Sequence, residues 1–308
     1  MLRRRALRDF LIVAGPLLLL LAVLPFVYSN TLLLFNFVMF LTLAQGLNIL
    51  YGFTGFLPFG YVGFFGAGAY GFALAVMHFQ LPPFGALAVA GCAAVLLGVI
   101  LSPLMRLSGA YFAIANLAAA QAVYQVVSNP ALEDVTRGPY GVSLTDTYAP
   151  GLSYGTSVAI LAGTLAVVVW LRNSDFGLSL RATREDPISA GMAGVAVVRG
   201  RIIAWLISAL IAGLTGGVFA WHVSVFYPET AFDFSIGIFA IVFTLFGGSA
   251  TLLGPVLGVL ILYGLYNAIG ITVPQYFQLI YGVLIVGFAL FLPDGLTSLL
   301  TRRGLRVP

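Results

Sequence analysis

Side-chain chemistry needs donors, bases or ligands within reach of one another, and this chain keeps its few reactive residues apart. The two histidines, His78 and His222, fall in separate apolar stretches, and no H-x-x-H, H-E-x-x-H or C-x-x-C spacing gathers a metal site. Each reads as the polar tip of a span at the membrane interface. Cys92, the single cysteine, lies mid-span, has no intrachain disulfide partner and reads as packing. Nucleophilic catalysis requires a base beside the nucleophile, yet the 10 Asp and Glu all sit in loops or at span ends. That placement also disfavours an ion-coupled carrier, which keeps a charged group within its bundle, although carbonyls of broken helices can bind sodium. The phosphate-binding loop G-x-x-x-x-G-K-[ST] uses a lysine to reach the β- and γ-phosphates. All 14 basic residues here are arginine, so any ATPase that drives this protein is another chain.

Where such a chain would dock is written between Arg172 and Arg201, RNSDFGLSLRATREDPISAGMAGVAVVRGR, a polar segment between apolar walls. It divides at Pro187. Proline is favoured in the first helical turn and Asp186 before it can cap the exposed amides, so a short helix is expected over residues 187–193, stopped by Gly194. Ile188 and Met192, four apart, share one face, which fits a groove on a partner. The bland alternative is a loop anchored by the positive-inside rule.

The elements that position this segment are membrane spans. Residues 10–105 and 234–293 contain no Asp, Glu, Lys or Arg, and 8% charged residues lies far below the roughly 25% of a soluble domain. A spanning helix needs about 20 apolar residues, and breaks at Tyr28-Ser29-Asn30, Gly52–Pro58, Leu81-Pro82-Pro83, Gly247–Pro255 and Thr272-Val273-Pro274 divide the runs. Arginines gather on the cytoplasmic side of short loops. Placing Arg3, Arg4, Arg5, Arg8, Arg106, the five of the polar segment, Arg302, Arg303 and Arg306 on that side leaves only Arg137 outside. Even numbers of spans must then separate the clusters. The expected fold is an all-α integral membrane protein, a single polytopic bundle of about ten helices with both termini cytoplasmic. The spans fall at about 10–28, 31–50, 58–79, 84–105, 109–128, 153–171, 202–222, 235–250, 255–271 and 275–292, with an external loop at 129–152 and a cytoplasmic loop at 172–201. The first is read as a span rather than a signal peptide, being longer than an h-region of roughly 7–15 residues and followed by no A-x-A site.

Small-residue stripes mark close helix packing: Gly63, Ala67 and Gly71; Ala209, Gly213 and Gly217; Gly254 and Gly258. Gly52 to Gly60 is different, because Gly55 and Pro58 can break a helix at depth and present its dipole to a carboxylate. Gln45, Asn48, Asn116, Gln121, Gln125 and Asn267 are the amides within spans, each bridging helices or facing a wet path. A path of amides, backbone and apolar walls suits a neutral or zwitterionic solute.

The Phe176-Gly177, Arg181-Ala182-x-Arg184-Glu185-Asp186 and Ala190-x-x-x-Gly194-Val195 pattern resembles the cytoplasmic coupling loop of branched-chain amino acid ABC importer permeases of the LivM type. Other blocks are similar to that family in the same order: Gly46-Leu47-Asn48 with Gly52, Gly55, Gly60 and Phe64-Phe65-Gly66-x-Gly68-Ala69-Tyr70; Arg106-Leu107-x-Gly109-x-Tyr111-Phe112-Ala113; and Thr136-x-Gly138-x-x-Gly141. Ser208-Ala209-x-x-Ala212-Gly213-Leu214-x-Gly216-Gly217 and Gly247-Gly248-x-x-Thr251-Leu252-x-Gly254-Pro255-Val256-x-Gly258 complete the series. The resemblance implies a pore-forming subunit in a bacterial cytoplasmic (inner) membrane. It would pair with a homologous second permease, two cytoplasmic ATPase subunits that bind ATP and magnesium, and a periplasmic or extracellular solute-binding protein, with lipid around it, no nucleic acid and no cofactor of its own. It assigns ATPase coupling to Arg181, Arg184, Glu185, Asp186, Pro187, Ile188, Ala190, Met192 and Gly194. Asn48, Gly52, Gly55, Pro58, Gly60, Tyr61 and Asn116 are the expected substrate pathway. Pro58 and Tyr61 stand where relatives often have Ser and His, so the cargo is leucine, isoleucine or valine, or a related small solute such as urea or an amide. The alternatives are a passive channel for a small neutral solute and a membrane-embedded enzyme.

Overall fold

The computed structural model of the chain describes residues 14–272 except residue 29, and beyond them residues 274–276, 279–280, 282–283, 286–287 and 295–297. In hydrocarbon each backbone N–H and C=O must be satisfied within its own segment, which makes helix the default. The long elements are α1 Gly15–Val27, α2 Thr31–Leu47, α3 Val62–Phe79, α4 Pro83–Ile100, α5 Gly109–Val127 and α6 Pro150–Asn173. They continue as α7 Asp175–Glu185, α8 Pro187–Met192, α9 Val197–Val223, α10 Phe234–Gly247 and α11 Leu253–Thr272. A π-helical turn, Asn48–Gly52, extends α2. Among the described residues, eight helices are long and apolar enough to cross a membrane, and α1 is a shorter apolar helix. A predominantly helical, polytopic membrane fold is therefore what the chain forms. The expected span at 275–292 lies largely outside the described residues, as do residues 10–13 and the arginines of both termini.

Several boundaries differ from those read in the sequence. Residues 55–61 are irregular and turn backbone, so α3 starts at Val62 instead of 58. Pro103 opens a 3₁₀ stretch, Ser102–Arg106, which ends α4 at Ile100 instead of 105. The polar segment itself carries a helix, α7, ahead of Pro187.

The centre of the bundle is α9, packed against α3 and α4 on one side and α2 and α6 on the other. Glycine makes this possible. A Cβ on Gly217 would lie 2.7 Å from the Ala90 methyl, and one on Gly71 would lie 2.9 Å from that of Ala93. Gly63 meets Ala120 equally closely, and Gly213 meets Ala94. Gly254 and Gly258 similarly seat α11 on the backbone at Gly248 and Phe243, while Ala67 is only half-buried. Trp205 fills the space beside this seam, its indole donating to the Gly98 carbonyl at 2.8 Å and its ring edge-on to Phe64 at 4.8 Å.

At the end of the bundle away from the polar segment, the loop over residues 129–152 folds onto the helices. Its strand β1, Val142–Ser143, pairs antiparallel with β2, Val225–Phe226, and Thr147 accepts a hydrogen bond from the Trp221 indole. His78 bonds the Val135 carbonyl at 2.9 Å from an exposed position. His222 does not behave as an interfacial tip: it is 6% exposed, stacks on Phe35 at 4.0 Å and bonds Ser153 at 2.8 Å. Cys92 also differs from expectation, since it faces outward from α4 instead of packing in the core.

Candidate functional site

The polar segment builds a small platform from two capped helices. Ser174 opens α7 by accepting from the Gly177 amide at 3.1 Å, and buried Leu180 fixes its inner face. Arg181 returns to donate to the Arg172 carbonyl at 3.3 Å. Asp186 then ends one helix and caps the next: its carboxylate accepts from the Ile188 amide at 2.9 Å and from the Ser189 hydroxyl. These donors hold the exposed Asp186 carboxyl below the usual carboxylate range, the Ser189 bond contributing most.

The far end of α8 is closed by two backbone bonds, Val195 N–H to the Ala190 carbonyl and Gly194 N–H to the Gly191 carbonyl, each 3.0 Å. This is a Schellman closure, and it requires the left-handed backbone that Gly194 adopts at φ +87. Only Ala190 of α8 is buried. Ile188 and Met192 stand 74% and 82% exposed and form, with Pro187, Val195 and Val198, an open apolar groove. Glu185 is exposed beside them.

Arg184 joins this platform to the helical bundle. Its guanidinium donates to the Gly52 carbonyl and lies over the Tyr51 ring, 5.8 Å from the centroid. Gly55, at φ +79, lets the backbone pass so close that a Cβ there would lie 3.3 Å from the Arg184 stem. Arg201 covers the Phe56 ring at 4.7 Å. The Gly52–Pro58 break therefore lies at the arginine-bearing end of the bundle, beside Arg184 and Arg201. α2 with its π turn spans 22 residues, about 33 Å, long enough to cross a bilayer before the break.

The expected pathway residues are packed together there. Asn48 is fully buried; its amide donates to the Thr251 carbonyl at 2.9 Å and accepts from the Ala250 amide at 2.7 Å. Gln45, one turn earlier, donates to the Leu252 carbonyl at 2.8 Å. Together they clamp the α10–α11 turn to α2, so Asn48 serves as a clamp and lines no open path. Gly52 must lack a side chain because Asn48 and Ala250 occupy that space. Buried Tyr61 donates to the Ser208 carbonyl at 3.2 Å, and the Gly60 amide donates to the Asn116 side chain at 2.8 Å. Pro58 is buried and Gly55 exposed. Gln45, Tyr51 and Arg201 were not singled out from the sequence as part of this site. The three-residue spacing of Gln45 and Asn48, one helical face, is the signal that would have joined them. Among the described residues no group of three or more His, Cys, Asp or Glu could hold a metal.

A family profile described as "Branched-chain amino acid transport system / permease component" matches residues 30–289. The high-affinity branched-chain amino acid transport system permease protein LivM of Escherichia coli (strain K12) is 30% identical over 289 residues, covering 83% of this chain and 67% of that protein. Shorter similarities reach the L-arabinose ABC transporter permease protein AraH of Azospirillum brasilense, 29% identical over 42% of this chain and 40% of the relative. The guanosine ABC transporter permease protein NupQ of Bacillus subtilis (strain 168) is 34% identical over 29% of this chain and 28% of its own. No solved structure matches the chain. A match over most of the chain, on a polytopic helical bundle, makes this protein a member of the permease-component family of branched-chain amino acid transport systems.

Proposed function

We propose that this permease is the membrane half of an ATP-driven importer, and that α7 and α8 receive a separate cytoplasmic ATPase which binds the ATP and magnesium. The observation that carries the reading is α8: a helix capped at both ends whose only large apolar side chains, Ile188 and Met192, point into solvent. A solvated anchor has no use for such a face, whereas a groove-binding helix does. The cargo is a small zwitterionic or neutral solute of the branched-chain amino acid kind, delivered by a solute-binding protein outside the cytoplasmic membrane. A homologous second permease completes the path. Support for it comes from α5, whose outward face carries Gln121 and Gln125, while the outward face of α4 presents Leu96, Val99 and Ile100. Amides facing hydrocarbon are costly and favour helix-to-helix contact.

Reconstitution of the native complex in liposomes tests the reading: uptake of radiolabelled leucine should require ATP on the ATPase side and stop when the ATPase is removed. Conduction by this chain alone as a homo-oligomer would favour a passive channel and overturn it.

A further inference from the structure

With the Asn48–Tyr61 region packed shut at the cytoplasmic end, the open polar space of the bundle lies elsewhere. Between the outer halves of α2, α10 and α11 is a cleft of about 540 Å³, within the roughly 300–1,000 Å³ typical of small-ligand sites. Asp233 stands exposed at its mouth and caps α10, accepting from the Ser235 amide at 2.8 Å. Aromatic rings form the wall behind it. Phe239 meets Tyr266 edge-on at 5.2 Å, Tyr266 stacks on Tyr263 at 6.1 Å, and Phe40 closes on Tyr263 at 5.4 Å. Amides enter from two sides, Asn36 on α2 and Asn267 on α11, the latter pinned by its bond to the Tyr263 carbonyl at 2.8 Å. Tyr263 lies ten residues into α11, about 15 Å along its axis. The cleft therefore runs from the outer rim to mid-depth.

This combination has a specific chemistry. A carboxylate next to aromatic faces holds an ammonium by ion pairing and cation–π attraction. Amides and phenols supply hydrogen bonds to a carboxylate or carbonyl. Phe40, Ile236 and Phe239 offer apolar surface to a hydrocarbon side chain. We propose that this cleft is the outward-facing solute site and that it takes a small zwitterion with an apolar side chain, its ammonium toward Asp233. The proposal rests on the importer reading for the identity of the cargo class, and on the cleft alone for its position.

The test uses the complete transporter in liposomes, with Cys92→Ser to remove the outward thiol and Ser235→Cys as a reporter at the rim. Labelling by a membrane-impermeant maleimide from outside should slow about tenfold in leucine at ten times its Kd, in line with near-full occupancy. 4-Methylpentanoate, which lacks the ammonium, should give no protection, and Asp233→Asn should abolish protection by leucine. Leucine uptake by the same liposomes without any protection would overturn the cleft while leaving the importer reading intact. Equal protection by 4-methylpentanoate would overturn ammonium recognition. Absence of both uptake and protection would remove the cargo reading together with the site.

Discussion

At the scale of single residues, two side chains decide how the platform is built and linked. Asp186 satisfies the first amides of α8, and asparagine caps a helix about as well as aspartate whereas alanine does not. Asp186→Ala should therefore raise the ATP hydrolysed per solute imported several-fold, with Asp186→Asn close to wild type, measured in the reconstituted complex. Because the Asp186 pKa is depressed in the folded protein, its contribution is complete above the unfolded value near 4 and is lost as pH falls through the folded value. Hydrogen exchange at the Ile188 amide should accelerate relative to a pH-matched Asp186→Asn control only in that acid window. Arg184 acts differently, through a planar guanidinium that reaches the Gly52 carbonyl and Tyr51 together. Arg184→Lys should recover little of the coupling lost in Arg184→Ala, since an ammonium cannot reproduce that fork; full recovery would point to charge alone. The Asp186-Pro187 cap was legible in sequence because it is local. The Arg184–Gly52 bond was not, as its partners are 132 residues apart.

At the scale of elements, small residues line the seams among α3, α4 and α9, because a missing Cβ has one dominant use in a bundle, which is approach. Gly217→Val would drive its side chain into Ala90 and should destabilise the protein by about 1–3 kcal/mol, seen as a lower unfolding midpoint in detergent. Gly191 has open space around it and ordinary backbone angles. Gly191→Ala should stabilise α8 by up to about 1 kcal/mol. The Gln45–Asn48 clamp is harder to read from sequence, because an amide on a helix announces a partner without naming it. Asn48→Ala would leave the Ala250 amide and Thr251 carbonyl unsatisfied, at a cost of about 1–3 kcal/mol each, and a destabilisation well below that range would contradict the clamp. Gly55 and Pro58 do break the chain, and the break follows the 22-residue length of α2 with its π turn, at the end of the bundle where Arg184 and Arg201 lie.

At the scale of the whole molecule, Arg184 and Arg201 converge on one end of the bundle. What the sequence could not supply was the outer cleft, since Asn36, Asp233, Tyr263 and Tyr266 come from three helices and acquire meaning only side by side. The central claim is that the exposed face of α8 carries the ATPase. Affinity purification of the tagged chain from its native membrane, as wild type and as Ile188→Asp with Met192→Asp, tests it most directly. Both substitutions lie on the exposed face and should leave chain abundance unchanged. The account predicts that an ATPase accompanies the wild type in stoichiometric amount and is lost from the variant; the same amount of ATPase on both would contradict it.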